Sequence, residues 1–289
     1  MPPLYLPIRR YMIDFDHEVL LPETDQLCAL EMRRISKSSM TISEMAHVSR
    51  DSETLSHLFN MQDITSEVIF GTKYADNNNQ DTIAIFSAFL KMLTLRTGFF
   101  FPNPACSEYS ITNMLEAPAG IVRFFTVDRP TIAQNIELGT ISLSDALWAA
   151  EHIEPLIILS RKKQFGNAIS LFFGFTTQFD SPLFLVVCWA CLEALFAIDA
   201  EHTFRLALLI SYFLETGSQR RILFDDMKKS YRVRSRFVHG APVPHAEAMK
   251  VAAETFAVLR RAIIKCLDTG NLPNERDLLL PDDPLPREA

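Results

Sequence analysis

Clustered histidine and carboxylate ligands are absent from this chain of 289 residues, which argues against a metal hydrolase. Residues 1 to 140 contain no glycine-rich phosphate loop, no metal-ligand cluster and no internal repeat. His17, His47 and His57 stand isolated and read as surface or loop residues. No metal and no cofactor is expected. Cysteine is scarce: five, an odd number without framework spacing, suit a reducing compartment better than a secreted disulfide scaffold. Cys188 and Cys191 form a Cys-x-x-Cys without a second pair, inside an apolar helix, and read as buried thiols. No long uncharged apolar run is present. The nearest, Pro182 to Ile198, is short and carries Glu193, so it reads as a core helix and no membrane partner is expected. The N-terminus has prolines and charges but no apolar signal region, so the expected location is cytoplasmic. Positive charge is also short. A net charge of −7 excludes a uniformly basic coat for nucleic acid and leaves room for a local basic site.

What is present divides the chain in two. At 48% hydrophobic content the chain can bury a sizeable core, and its length suits two domains. Residues 1 to 140 read as an α+β domain. Leu4 to Phe15, Glu67 to Thr72 and Gly120 to Val127 have strand-like composition, and Thr82 to Leu95 reads as a helix capped by Asp81. From 142 to 270 the pattern is that of an all-α bundle. A Ser142-Leu-Ser-Asp145 start opens a helix that Pro155 should kink or split. Apolar stretches follow at Gly166 to Phe179 and Pro182 to Ile198, then a helix over Phe204 to Leu214 stopping at Gly217. Ser218 can cap the next helix, which runs to Gly240, and Glu247 to Leu267 forms the last long one. Residues 271 to 289 are an acidic, proline-rich tail that reads as disordered.

The helix from Ser218 to Gly240 carries the most chemistry. Leu223, Met227, Tyr231 and Val238 make an apolar stripe, and Arg234 falls on it. A guanidinium facing a core is costly unless paired. Glu193, alone in its apolar helix, is the natural partner, either as a purely structural pair or as a carboxylate that orients an active-site arginine. His239 lies five residues after Arg234, about 140° round an ideal helix, so the two do not share a face. Either the helix unwinds at Gly240 or the residues act with those of a second copy; His239 could otherwise cap the helix. Lys228, Lys229, Arg232 and Arg236 concentrate positive charge here in an acidic protein, which suits attraction of a phosphate backbone. Tyr231 could stack on a base or belong to the core.

An Arg and a His held together can cut RNA without a metal. The imidazole takes the 2′-hydroxyl proton and the guanidinium stabilises the phosphorane. The string Tyr231, Arg234, Ser235, Val238, His239, Gly240, preceded by Leu192-Glu193-Ala194-Leu195-Phe196, resembles the Apea-like branch of the HEPN superfamily. The resemblance covers roughly residues 143 to 268. It implies a HEPN-like helical bundle, a homodimer whose paired motifs line a cleft, and a metal-independent endoribonuclease with Arg234 and His239 catalytic. Ser235 follows the Apea pattern, and a toxin or anti-phage defence setting is part of what the resemblance suggests. Two other readings stand beside this one: a non-catalytic dimeric module that binds nucleotide or RNA and relays a signal, and a structural dimerisation bundle.

Overall fold

The computed structural model describes residues 4–9, 11–15, 19–21, 30–35, 40–49, 52, 54, 55, 58, 64–70, 79–101, 105–118, 122–126, 139–174, 182–198 and 202–279. Two compact units divide between Glu154 and Pro155.

All eight described strands lie in the first unit. They are β1 (Leu4–Arg9), β2 (Tyr11–Ile13), β3 (Val19–Leu21), β4 (Leu30–Arg34), β5 (Ile64–Phe70), β6 (Ala105–Ser107), β7 (Phe124–Thr126) and β8 (Gly139–Ile141). Six form an antiparallel sheet in the order β3-β4-β5-β1-β6-β7, and β2 pairs in parallel with β8. β5 sits between β4 and β1, and residues of both its faces are buried: Ile64, Ser66 and Val68 on one, Glu67 and Ile69 on the other. A strand in a central position with both faces covered leaves a charged side chain no water, so such a residue needs partners. Glu67 is one, fully buried in mid-strand. Its carboxylate accepts from the Ser110 hydroxyl at 2.7 Å, from the Ile111 backbone N–H at 2.6 Å and from Arg33 Nη2 at 3.2 Å. These bonds fasten the turn at Ser110 to the sheet. Around it Met40, Met45, Leu58, Ile111, Met114 and Phe124 belong to one apolar core.

Helices α1 (Ile42–Val48), α2 (Asn79–Thr97) and α3 (Leu143–Glu151) are also described in this unit, with a short 3-10 turn at Met114–Glu116. α1 opens with a reciprocal Thr41–Glu44 capping box. α2 begins at Asn79, so Asp81 lies inside the helix and is not its cap. α3 starts as its sequence predicts: Asp145 N–H donates to Ser142 Oγ and Ser142 N–H to Asp145 Oδ2, each at 3.1 Å. It packs on α2, where Arg96 reaches Asp145 at 3.2 Å. The helical segment beginning at Ser142 therefore belongs at first to the sheet-bearing unit.

The expected break near Pro155 is a split. α3 ends at Glu151 and α4 (Ile153–Ser160) begins after His152, with Pro155 in its first turn, where a missing N–H costs little. Beyond Glu154 every described element is helical: α5 (Lys163–Gly174), α6 (Leu183–Phe196), α7 (His202–Leu214), α8 (Gln219–Val238), α9 (His245–Thr269) and α10 (Glu275–Leu279). α6 packs against α5 and α9, and α8 against α7. Gly217 and Gly240 take positive φ, 57° and 73°, in the turns on either side of α8, where a side chain would be strained. Ser218 occupies the N-cap position of α8 but makes no side-chain capping bond.

The tail departs from expectation. α10 falls within it, because Arg205 of α7 grips the Glu275 carboxylate, its Nε donating to Oε1 at 2.7 Å. Residues 280 to 289 lie outside the described part. No described helix is long and apolar enough to cross a membrane.

Candidate functional site

α8 turns a polar residue inward at its middle. Its buried positions are Leu223, Met227, Ser230 and Val233, so the inner face is rotated from the expected Leu223–Met227–Tyr231–Val238 stripe. Val238 is 48% exposed and Tyr231 is only half-buried. The reason is Trp189 of α6, whose indole N–H needs an acceptor in the core and finds the Ser230 hydroxyl at 3.0 Å. Ser230 also shares a 2.6 Å hydrogen bond with Thr255 of α9. A serine so bonded can face the interior at little cost.

Arg234 lies on the flank of this face. Its Nη2 is 3.7 Å from Glu193 Oε1, and the two side chains keep 20% and 25% of their exposure. The sequence expectation that Glu193 and Arg234 approach each other is met, though the pair is partly exposed. The guanidinium also sits over the Tyr231 ring, 5.4 Å from its centroid. Tyr231 in turn stands edge-on to Trp189, centroids 5.0 Å apart at 86°. Arg234 is thus held by an aromatic stack and a carboxylate. Its fork is not filled: the contact to Glu193 exceeds hydrogen-bonding length, and Nε is buried with no hydrogen-bond partner.

His239 is placed elsewhere. It takes the C-cap position of α8 with φ −88° and ψ 12°, its backbone N–H donating to Ser235 O at 3.0 Å. The capping bonds are backbone bonds. The imidazole is exposed and has no bonded partner among the described residues. Within one chain the described structure joins Arg234 and His239 by no hydrogen bond.

The predicted basic residues share out differently. Lys229 lies 3.1 Å from Asp226, and Arg236 donates to Pro242 O at 2.6 Å while standing 3.8 Å from Glu247. Lys228 rests against two rings, 5.0 Å from the Phe224 centroid and 6.0 Å from that of Phe204. Arg232 is exposed and free of any described partner. Ser235 is half-buried beside it. The involvement of Phe204 could not be read from periodicity, because it is an apolar residue of α7 that stays 55% exposed.

Cys188 and Cys191 are free and buried, as are Cys106 and Cys266. Burial pushes the thiols of Cys106, Cys191 and Cys266 up to about 12, and raises Cys188 as well. Thiols held in that state are poor nucleophiles and poor metal ligands. No three metal-ligating side chains converge among the described residues.

Comparison with protein-family models, with curated proteins and with solved structures returns no match.

Proposed function

We propose that this chain is a homodimeric, metal-independent endoribonuclease of the HEPN type, with Arg234 and His239 as its catalytic pair. The observation that carries the reading is the state of Arg234. A guanidinium with one-fifth of its surface exposed is oriented by Glu193 and Tyr231, yet its Nε is buried without a partner. A buried donor left unpaired is costly, and an anionic phosphate oxygen is the kind of group that removes the cost. His239, exposed and uncommitted at the end of the same helix, supplies the base or acid.

The two residues point to different faces of one helix, so the active arrangement uses a second copy. The surface round the pair suits that. α6 and α8 run in the same direction here, Trp189 meeting Ser230 and Glu193 meeting Arg234. Ala190 and Ala194 of α6 are part-exposed, and Ala197 and Val238 at the ends of α6 and α8 are exposed. Small apolar residues let a symmetric copy approach closely, and a two-fold axis doubles each catalytic group. Buried free thiols fit a reducing, cytoplasmic setting. The toxin or phage-defence context follows from the motif resemblance.

The test is incubation of the full chain with labelled RNA in EDTA. Cleavage should leave 2′,3′-cyclic phosphate ends and spare DNA, which lacks the nucleophile. His239→Ala should lose on the order of 10²–10⁴-fold in rate. Arg234→Lys should fail, since a point charge cannot replace the planar fork. Cleavage surviving the double substitution, or requiring magnesium, would overturn the assignment. The second reading, a dimeric RNA- or nucleotide-binding module without catalysis, is favoured by the separation of Arg234 from His239 within the chain; binding without cleavage by a confirmed dimer would select it.

A further inference from the structure

α8 has a second face, and its C-terminal half carries Lys228 and Arg232. Arg221, Asp225, Lys228, Arg232, Ser235 and His239 follow one another at steps of four, three, four, three and four residues, so they align along one side of the helix. Arg221, Arg232 and His239 are exposed. Asp225 stands within this line and offsets Arg221, so the positive character begins at Lys228 and Arg232. Beside the line stands an aromatic pair. Phe204 and Phe224 meet edge-to-face, centroids 5.3 Å apart at 81°, and Lys228 Nζ lies against both rings. Phe204 is 55% exposed. Single exposed apolar residues mean little. An exposed ring that is propped at right angles by a second ring and flanked by a lysine is a different object: it is held in place and offers a face.

We infer that Phe204, Phe224 and Lys228 form a stacking platform for an unpaired base of single-stranded RNA, whose phosphates run along Arg232 toward His239. This rests on the RNA reading above and names the form of RNA taken. Stacking on a ring requires a base that is not already paired, whereas Lys228 and Arg232 attract any phosphate backbone. Along the helix axis Phe224 and His239 are separated by about 22 Å, a span covered by several nucleotides of single strand. The platform therefore anchors the strand at one end of α8 while the reacting phosphate lies at the other. Charge complementarity selects the occupant, since Lys228 and Arg232 beside an aromatic face match the phosphates and bases of a single strand.

The experiment measures anisotropy of a labelled single-stranded oligoribonucleotide and of its duplex, over a range of salt. The full-length protein carries His239→Ala so that the probe stays intact. Single strand should bind more tightly than duplex. Phe204→Ala should weaken single-strand binding about tenfold while leaving the salt slope unchanged, because stacking releases no counterions. Arg232→Gln should lower that slope by about one. Phe204→Trp should keep the affinity and show fluorescence quenching on binding, which also guards against a folding defect. Unchanged binding by Phe204→Ala, with Arg232→Gln still weakened, would overturn the platform and leave the RNA reading intact. Failure of the parent protein to bind any RNA would overturn both.

Discussion

Trp189 donates its indole N–H to the Ser230 hydroxyl at 3.0 Å inside the helical unit, and this bond sets the orientation of the candidate site. Ser230 is a hub, bonded also to Thr255, which itself donates to the Val251 carbonyl at 2.7 Å. α6, α8 and α9 are thereby tied at one point. The same indole carries Tyr231 on its flank, and Tyr231 carries Arg234. The arginine's position is inherited from a core hydrogen bond two contacts away.

Ser230→Ala should accordingly cost about 1–3 kcal/mol, since it strands a buried indole donor. Thr255→Val should cost less, because Trp189 keeps its acceptor. Urea midpoints of the two variants check the order; equal losses would remove Ser230 from the centre of the network.

Glu193→Gln should cost between the surface and fully buried limits, about 1–3 kcal/mol, because both side chains retain a fifth to a quarter of their exposure. Thermal melting at two ionic strengths measures it. A melt equal to the parent's would mean the pair contributes orientation only.

Gly166→Ala runs against helix propensity. Alanine is favoured over glycine inside a helix by about 1 kcal/mol. Here a Cβ at Gly166 would stand 2.6 Å from the Ser160 carbonyl oxygen, a backbone atom at the end of α4. The close approach of α4 to α5 needs the missing side chain, so the substitution should destabilise, and a raised melting temperature would refute this packing account.

The buried thiols make alkaline stability a readout. A thiol whose folded pKa is raised keeps its proton more tightly when folded. Its contribution is complete below the unfolded value of about 8.5. It is then lost as pH rises toward about 12, the folded value for Cys106, Cys191 and Cys266. Stability should fall progressively over that window, and less steeply in a Cys191→Ala variant. Native protein at pH 8 should leave these three thiols unmodified by iodoacetamide; rapid labelling would contradict their burial.

Much of the helical part of the chain from Ser142 onward was legible because its signals are local. Ser142 and Asp145 announce α3, Pro155 marks the split, and Glu193 and Arg234 stand out as charges in apolar surroundings. The rotation of α8 was not legible. Nothing in the spacing says that Ser230 will replace Tyr231 on the inner face, because the reason lies in Trp189, forty-one residues away. In the first unit β3, β6 and β8 are three residues each, too short to display a period. α1 does carry a readable Thr41-x-x-Glu44 signal, and β4 alternates charge with apolar residues. The Arg33–Glu67–Ser110 cluster is hinted at only by a carboxylate in the middle of β5.

That carboxylate acts as an index mark for the sheet. Glu67 stands opposite Pro7 on β1 and Arg33 on β4. Strand neighbours as alike as Val68, Ile69 and Phe70 could pair one position out of step with modest loss, since apolar contacts discriminate poorly. A one-residue slip of β5 would turn the Glu67 side chain to the opposite face of the sheet. It would leave behind the Ser110 hydroxyl and the Ile111 N–H, and a naked charge would be trapped in hydrocarbon. Misaligned pairings are thus penalised out of proportion to the aligned one's gain, and a single acidic side chain makes the alignment of β1, β4, β5 and the Ser110 turn one joint decision.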